Sequence, residues 1–134
     1  MIFVDTNVLL DLATDDPVWA GWSQHQLEAA SLHGPLSINE VVYAELGVGY
    51  ARIEALDAFV ARAGLRIEPM PRAALFLAGK AFGLYRRTAG AKVGVLPDFF
   101  IGAHASVLGV QLLTRDIGRY RTYFPKLALI APQA

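Results

Sequence analysis

Apolar residues arrive along this chain in two rhythms. Short, nearly continuous apolar runs predict buried strands over residues 2–5, 35–38, 111–114 and 127–130, with 65–67 as a further candidate. Longer stretches, with apolar positions recurring every three or four residues, predict helices over 8–13, 17–32, 40–50, 52–63, 72–87 and 98–108. Strands and helices alternate from end to end, which is the pattern of an α/β fold whose parallel sheet is covered on both sides. Several boundaries carry their own signals. Asp16 before Pro17, and Asn39 before Glu40, read as N-caps, while Gly64 and Gly109 are placed to end helices. The glycine-bearing stretch 88–96 reads as a loop immediately ahead of Asp98. No repeat, low-complexity tract or linker interrupts the pattern.

Two of the predicted strands run straight into an acid. Ile2-Phe3-Val4 delivers Asp5, and Gln111-Leu112-Leu113-Thr114-Arg115 delivers Asp116. In open parallel sheets the carboxyl ends of the strands face the ligand crevice, so acids planted there are candidates for site chemistry. Asp98 opens a predicted helix, and any one of the three aspartates could instead be a helix cap. Glu45 is different. It lies six residues inside its helix, with Val41, Val42, Val48 and Gly49 as its helical neighbours, so it is expected to sit within an apolar stripe. A carboxylate there needs a cation, either a distant arginine or a metal ion. If Glu45 converges with the aspartates, a divalent ion is the more economical neutraliser, and hard oxygen ligands suit Mg²⁺ or Mn²⁺. His25, His33 and His104 show no metal-site spacing and read as surface groups or as core groups whose hydrogen bonds are satisfied. No nucleophile elbow, P-loop or dinucleotide fingerprint is present, which leaves metal-assisted attack on a phosphodiester as the supported chemistry.

The 134 residues fit a single domain, 1–134, with one core. Hydrophobic residues make up 54% and charged ones 18%, which suggests apolar surface covered by a partner, as in a homodimer. The zero net charge hides a segregation. Residues 1–51 hold seven acids and no Lys or Arg, whereas the remainder holds all 12 bases and the other five acids. Arg72, Lys80, Arg86, Arg87 and Lys92 occupy an acid-free interval that reads either as a solvated helix face or as a surface suited to phosphate, with Arg86, Arg87 and Lys92 as the contacts to a nucleic acid in the second case. The longest charge-free run, 99–114, is 16 residues and carries His104, Ser106 and Gln111, so no bilayer span is expected. A strand starting at residue 2 leaves no room for a secretory signal, and the absence of Cys agrees with a cytoplasmic location. Trp19 and Trp22, three apart, read either as core or as aromatic anchors lining a partner groove.

Four stretches together resemble the acidic blocks of PIN-domain nucleases, in particular VapC-like toxins of toxin-antitoxin pairs. They are Val4-Asp5-Thr6-Asn7, Ala44-Glu45-Leu46, Pro97-Asp98-Phe99-Phe100-Ile101-Gly102-Ala103-His104-Ala105 and Leu113-Thr114-Arg115-Asp116. The resemblance spans the whole chain and implies a three-layer α/β/α sandwich with a central, mainly parallel sheet. It implies a Mg²⁺- or Mn²⁺-dependent endoribonuclease with Asp5, Glu45, Asp98 and Asp116 around the metal. Thr114 would help organise that cluster, and Thr6 and Asn7 would shape the first turn. It also implies a homodimer silenced by a cognate antitoxin. The rival readings are a PIN domain acting in RNA maturation without an antitoxin, and a Mg²⁺-binding phospho-acceptor signalling domain. The latter needs a Lys after the last strand, where this chain has Ala131-Pro132. A haloacid-dehalogenase-like phosphatase needs a second acid two residues after the first, where this chain has Asn7.

Overall fold

Five short strands, β1 (Ile2–Val4), β2 (Leu36–Ile38), β3 (Leu65–Ile67), β4 (Gln111–Leu113) and β5 (Leu129–Ile130), build one sheet in a computed structural model that describes residues 1–88 and 94–132. All neighbouring strands are parallel, in the order β3-β2-β1-β4-β5. Among the described residues seven helices flank the sheet: α1 (Thr6–Ala13), α2 (Ala20–Ser31), α3 (Glu40–Gly47), α4 (Ile53–Arg62), α5 (Arg72–Thr88), α6 (Leu96–Leu108) and α7 (Gly118–Tyr123). The arrangement is the expected α/β/α sandwich, and its sheet is parallel throughout.

Strand order locates the crevice. From β1 the chain winds outward through β2 to β3, then returns across the sheet and winds the other way through β4 to β5. The winding reverses between β1 and β4, and ligands of open α/β sheets bind outside the carboxyl ends of the strands at such a reversal. Register pairs Val4 with Leu113, so the residues that follow, Asp5 and Thr114, emerge side by side. The Asp5 N–H still donates to the Leu113 carbonyl at 2.8 Å.

Most predicted boundaries hold to within a residue, but α1 starts two residues early, at Thr6, α3 ends three early, at Gly47, and β5 starts two late, at Leu129. Asn39 accepts from the Val42 N–H at 3.0 Å and caps α3 as expected. Gly64 and Gly109 have φ of +68° and +67°, the left-handed conformation that ends α4 and α6. Asp16 also caps, but it serves the Val18 and Trp19 amides of a preceding turn, so α2 starts only at Ala20. The helix expected over 98–108 begins at Leu96, with Pro97 in its first turn. Helix α7 was not predicted, because six residues of sequence GRYRTY carry too little apolar periodicity to mark a helix. The loop expected over 88–96 falls mostly on residues 89–93, outside the described residues.

Helix α6 is enclosed by its neighbours, with Phe99, Ile101, Gly102, Ala103, His104 and Ala105 all buried. Two small-residue contacts allow this. Ala74, Ala78 and Ala81 form the buried face of α5, which packs along α6. At Gly102 an added Cβ would stand 2.6 Å from the Phe124 ring, so glycine is what lets the end of α7 approach. Phe82, Tyr85, Phe99, Tyr123 and Phe124 then pack as a connected aromatic group between α5, α6 and α7. These contacts carry Asp98, at the start of α6, and α7 toward the crevice.

Candidate active site

Asp5 sits at the junction of β1 and α1 with 3% of its surface exposed. Its Oδ1 accepts from the Thr6 N–H at 2.7 Å, so the cap reading is geometrically right for this residue. Its Oδ2 does more. That atom accepts from Thr114 Oγ1 at 2.7 Å, Tyr120 OH at 2.9 Å and Asn7 Nδ2 at 3.3 Å. Burial nevertheless outweighs these donors: together with the Asp98 charge it raises the Asp5 pKa to about 7. Tyr120 stays a donor, because burial and the Asp5 carboxyl push its phenol well above its ordinary range.

The other three acids are not caps in the same sense. Asp98 lies in the first turn of α6 but Val95 is the N-cap, and Ile117 rather than Asp116 caps α7. Asp98 Oδ2 accepts from Arg119 Nη1 at 2.5 Å, and the same nitrogen lies 3.8 Å from Asp116 Oδ2. Burial raises the Asp98 pKa; Arg119 opposes that rise, and the Asp116 and Glu45 charges add to it. Glu45 accepts from Thr6 Oγ1 at 2.6 Å. The expectation that Glu45 sits within an apolar stripe needs correction. It is half-buried at the crevice wall, and Val48 on the same face is 89% exposed, because α3 runs past the edge of the core there. Among the described residues Glu45 makes no ion pair.

Thr6, Asn7 and Thr114 hold this arrangement together. Thr6 joins Asp5 to Glu45 through its N–H and hydroxyl. Thr114 Oγ1 donates to Asp5 and accepts from the Asp116 N–H at 3.0 Å, linking the first and last acids. Asn7 Oδ1 accepts from the Arg115 N–H at 3.2 Å. Four residues that sequence reasoning passed over complete the surroundings: Asp11, Arg115, Arg119 and Tyr120. Arg115 grips the buried Asp11 through two nitrogens, at 2.6 and 2.8 Å, and its guanidinium stands 4.9 Å from the Trp19 ring. Trp19 and Trp22 are half-buried and pack edge to face, so neither is a fully buried core residue. The available signal was the pairing of an acid at Asp11, one turn after Asn7, with the only basic residue of the last acidic block, Arg115. His104 is buried but only half satisfied: its Nδ1 takes a hydrogen bond from Asn39 Nδ2 at 3.2 Å, tying α6 to the cap of α3, while its buried Nε2 has no partner among the described residues.

The donor set is all hard oxygen, and burial together with neighbouring carboxylates raises the Asp5 and Asp98 pKa values, which is the chemistry a divalent cation relieves. As they stand, no three acids among the described residues are close enough to hold one. Basic residues approach from one side. Tyr85 packs 6.0 Å from the Arg119 guanidinium, which brings the last turn of α5, with exposed Arg86 and Arg87, to the border of the acidic group. Lys92, expected to join them, lies outside the described residues.

The PIN domain family model matches residues 2–125. The chain belongs to the PIN domain family. This PIN domain resembles three solved complexes in fold. VapBC2 from Rickettsia felis bound to a promoter DNA fragment has a TM-score of 0.75 at 20% identity, over 99% of this chain and 100% of that one. VapBC-1 from nontypeable Haemophilus influenzae has a TM-score of 0.71 at 18% identity, over 98% of both chains. FitAcB from Neisseria gonorrhoeae has a TM-score of 0.67 at 20% identity, over 96% of both. No curated protein matches this PIN domain significantly.

The metal-free PIN domain is expected to lose stability as pH rises from about 4 to about 7. Asp5 has a raised pKa in the folded state, so over that window the folded chain binds more protons than the unfolded one. Each unit of difference corresponds to about 1.4 kcal/mol. Urea unfolding in EDTA at several pH values checks this, with Asp5→Asn as the control in which the Asp5 contribution vanishes. A wild type whose pH dependence matches that of Asp5→Asn would contradict it.

Proposed function

We propose that this chain is a Mg²⁺-dependent endoribonuclease, with Mn²⁺ able to substitute, acting as the toxin of a type II toxin-antitoxin pair. The observation that carries the reading is the linked set of four acids at the point where the sheet reverses its winding. Asp5, Glu45, Asp98 and Asp116 would hold the ion and form the catalytic group. When bound, the ion supplies acidification of a water and neutralisation of phosphate charge. Hydrolysis would add a water across a P–O bond, its hydroxyl going to phosphorus and its other proton to the leaving oxygen.

Each residue has a definable part. Asp5 is fixed by Thr6, Thr114 and Tyr120, so one oxygen-rich corner of the site needs no reorganisation. Thr6 orients Glu45, and Thr114 orients Asp116 through its amide. Arg86 and Arg87 would meet the RNA backbone beside the acids. Neutralising both is expected to flatten the dependence of log K on log salt by up to about 1.4 for a single-stranded RNA. An unchanged slope in a filter-binding titration would remove them from the interface.

The toxin assignment draws on the antitoxin complexes that share this fold at full length. Exposed apolar side chains support a homodimer and an antitoxin partner, among them Val18, Leu32, Val48, Ile53 and Phe76. No helix among the described residues is long and apolar enough to cross a membrane, and we place the protein in the cytoplasm. The test is cleavage of RNA by the purified chain with Mg²⁺, Mn²⁺ or EDTA, repeated with the product of the neighbouring reading frame. Cleavage that needs the ion and is silenced by that product is the expected result. Ion-dependent cleavage unaffected by any neighbour would favour RNA maturation, and absence of cleavage under all conditions would overturn the nuclease reading.

A further inference from the structure

Arg119 occupies a position between two of the acids that an ion would have to bridge. Its Nη1 hydrogen-bonds Asp98 Oδ2 and faces Asp116 Oδ2 at 3.8 Å, so one cationic nitrogen serves both carboxylates. The pair is partly withdrawn from water, with side-chain exposures of 24% for Arg119 and 27% for Asp98. A guanidinium does not lose its proton at neutral pH, so it can vacate the position only by moving. Mg²⁺ needs near-octahedral oxygens at about 2.0–2.1 Å, and an ion bridging Asp98 Oδ2 and Asp116 Oδ2 would have to stand where the Arg119 guanidinium now lies. The absence of any ready three-acid grouping among the described residues fits a cluster whose spacing is set by a resident arginine.

We infer that Arg119 is a built-in counter-ion which divalent metal must displace from Asp98 and Asp116, so that the side chain sets the metal concentration at which the site fills. The inference rests on the divalent-metal reading above. Its physical content is competition. While metal is absent, Arg119 relieves the repulsion between the two carboxylates and stabilises the folded chain. When metal arrives, that contact has to break, and the apparent affinity falls by its free energy. The arginine stands on a flexible stem from α7, with its guanidinium 6.0 Å from the Tyr85 ring, so a rotamer change is the expected route of displacement.

The experiment is Mn²⁺ titration of the full chain, stripped with EDTA, by calorimetry and by the electron paramagnetic resonance signal of free Mn²⁺. Wild type, Arg119→Gln and Arg119→Lys are compared, and thermal melting is followed with and without Mn²⁺. Arg119→Gln is expected to bind Mn²⁺ about tenfold more tightly, the equivalent of one charge-assisted hydrogen bond that the ion no longer has to break. The same variant should melt below wild type without metal and gain more on adding it. Arg119→Lys, which keeps the charge without the planar fork, should lie between. Unchanged or weaker Mn²⁺ affinity in Arg119→Gln would overturn the inference, while ion-dependent RNA cleavage by wild type would leave the nuclease reading standing. Failure of all three proteins to bind Mn²⁺, with no cleavage by wild type, would overturn both.

Discussion

Asp5→Asn, Glu45→Gln, Asp98→Asn and Asp116→Asn are each expected to lower ion-dependent RNA cleavage by about 100-fold or more, a loss of a few kcal/mol of transition-state stabilisation. The structure separates their effects on folding. Asn at position 5 remains a good helix cap and keeps an acceptor for Thr6, the Thr114 and Tyr120 hydroxyls can turn to accept from its Nδ2, and the burden of a buried charge disappears, which outweighs the lost contact from Asn7. The metal-free Asp5→Asn variant should therefore melt at or above wild type near neutral pH. Gln at position 45 keeps the acceptor used by Thr6, so little change in stability is expected. Asp98→Asn behaves differently, because it takes the partner from Arg119, at a cost of about 0.5–1 kcal/mol for a pair that is partly solvated. Saturating Mg²⁺ should raise the wild-type melting temperature, by about 2.7 kcal/mol of stability at 100 times the Kd, and raise the variants less. Cleavage of a fluorescent RNA, with calorimetry on the same samples, checks both halves. Four variants that are destabilised yet cut normally would return these acids to structural roles.

Arg115→Ala is expected to be the most destabilising single substitution near the site, by about 3 kcal/mol, or about 10 °C in melting temperature for a chain of this size. Asp11, 2% exposed, depends on Arg115 for two of its hydrogen bonds and on Ser23 Oγ for a third at 2.7 Å. Removing the guanidinium leaves a buried carboxylate with one neutral donor. Arg115 also stands between Thr114 and Asp116, and its N–H holds Asn7, so the loosened segment carries Asp116 and the Thr114 hydroxyl that links it to Asp5. Mn²⁺ affinity should fall together with stability. Trp19 loses the cation on its ring, and its emission should shift in the native baseline. A double-mutant cycle with Asp11→Asn measures the coupling, expected at about 2–3 kcal/mol. A coupling near zero would mean the pair is held by its surroundings rather than holding them.

The readings that succeeded from sequence are those whose physics is local. Apolar runs bury as strands, and Asn39, Gly64 and Gly109 act within a few residues of themselves, so the α/β alternation and the helix ends were legible. The acids stood out because each ends a strand, opens a helix or interrupts an apolar pattern. Their mutual arrangement was not legible. Tyr120 reaches Asp5 across 115 residues, Arg115 reaches Asp11 across 104, and Arg119 reaches Asp98 across 21. No periodicity connects such pairs. What neutralises the acids, which of them is buried enough to resist ionisation, and that Glu45 lines a crevice rather than the core were decided only by the parallel sheet and by α7. A carboxylate's state depends on the distance of every nearby charge and on the water it has lost, and both quantities exist only once the chain has folded.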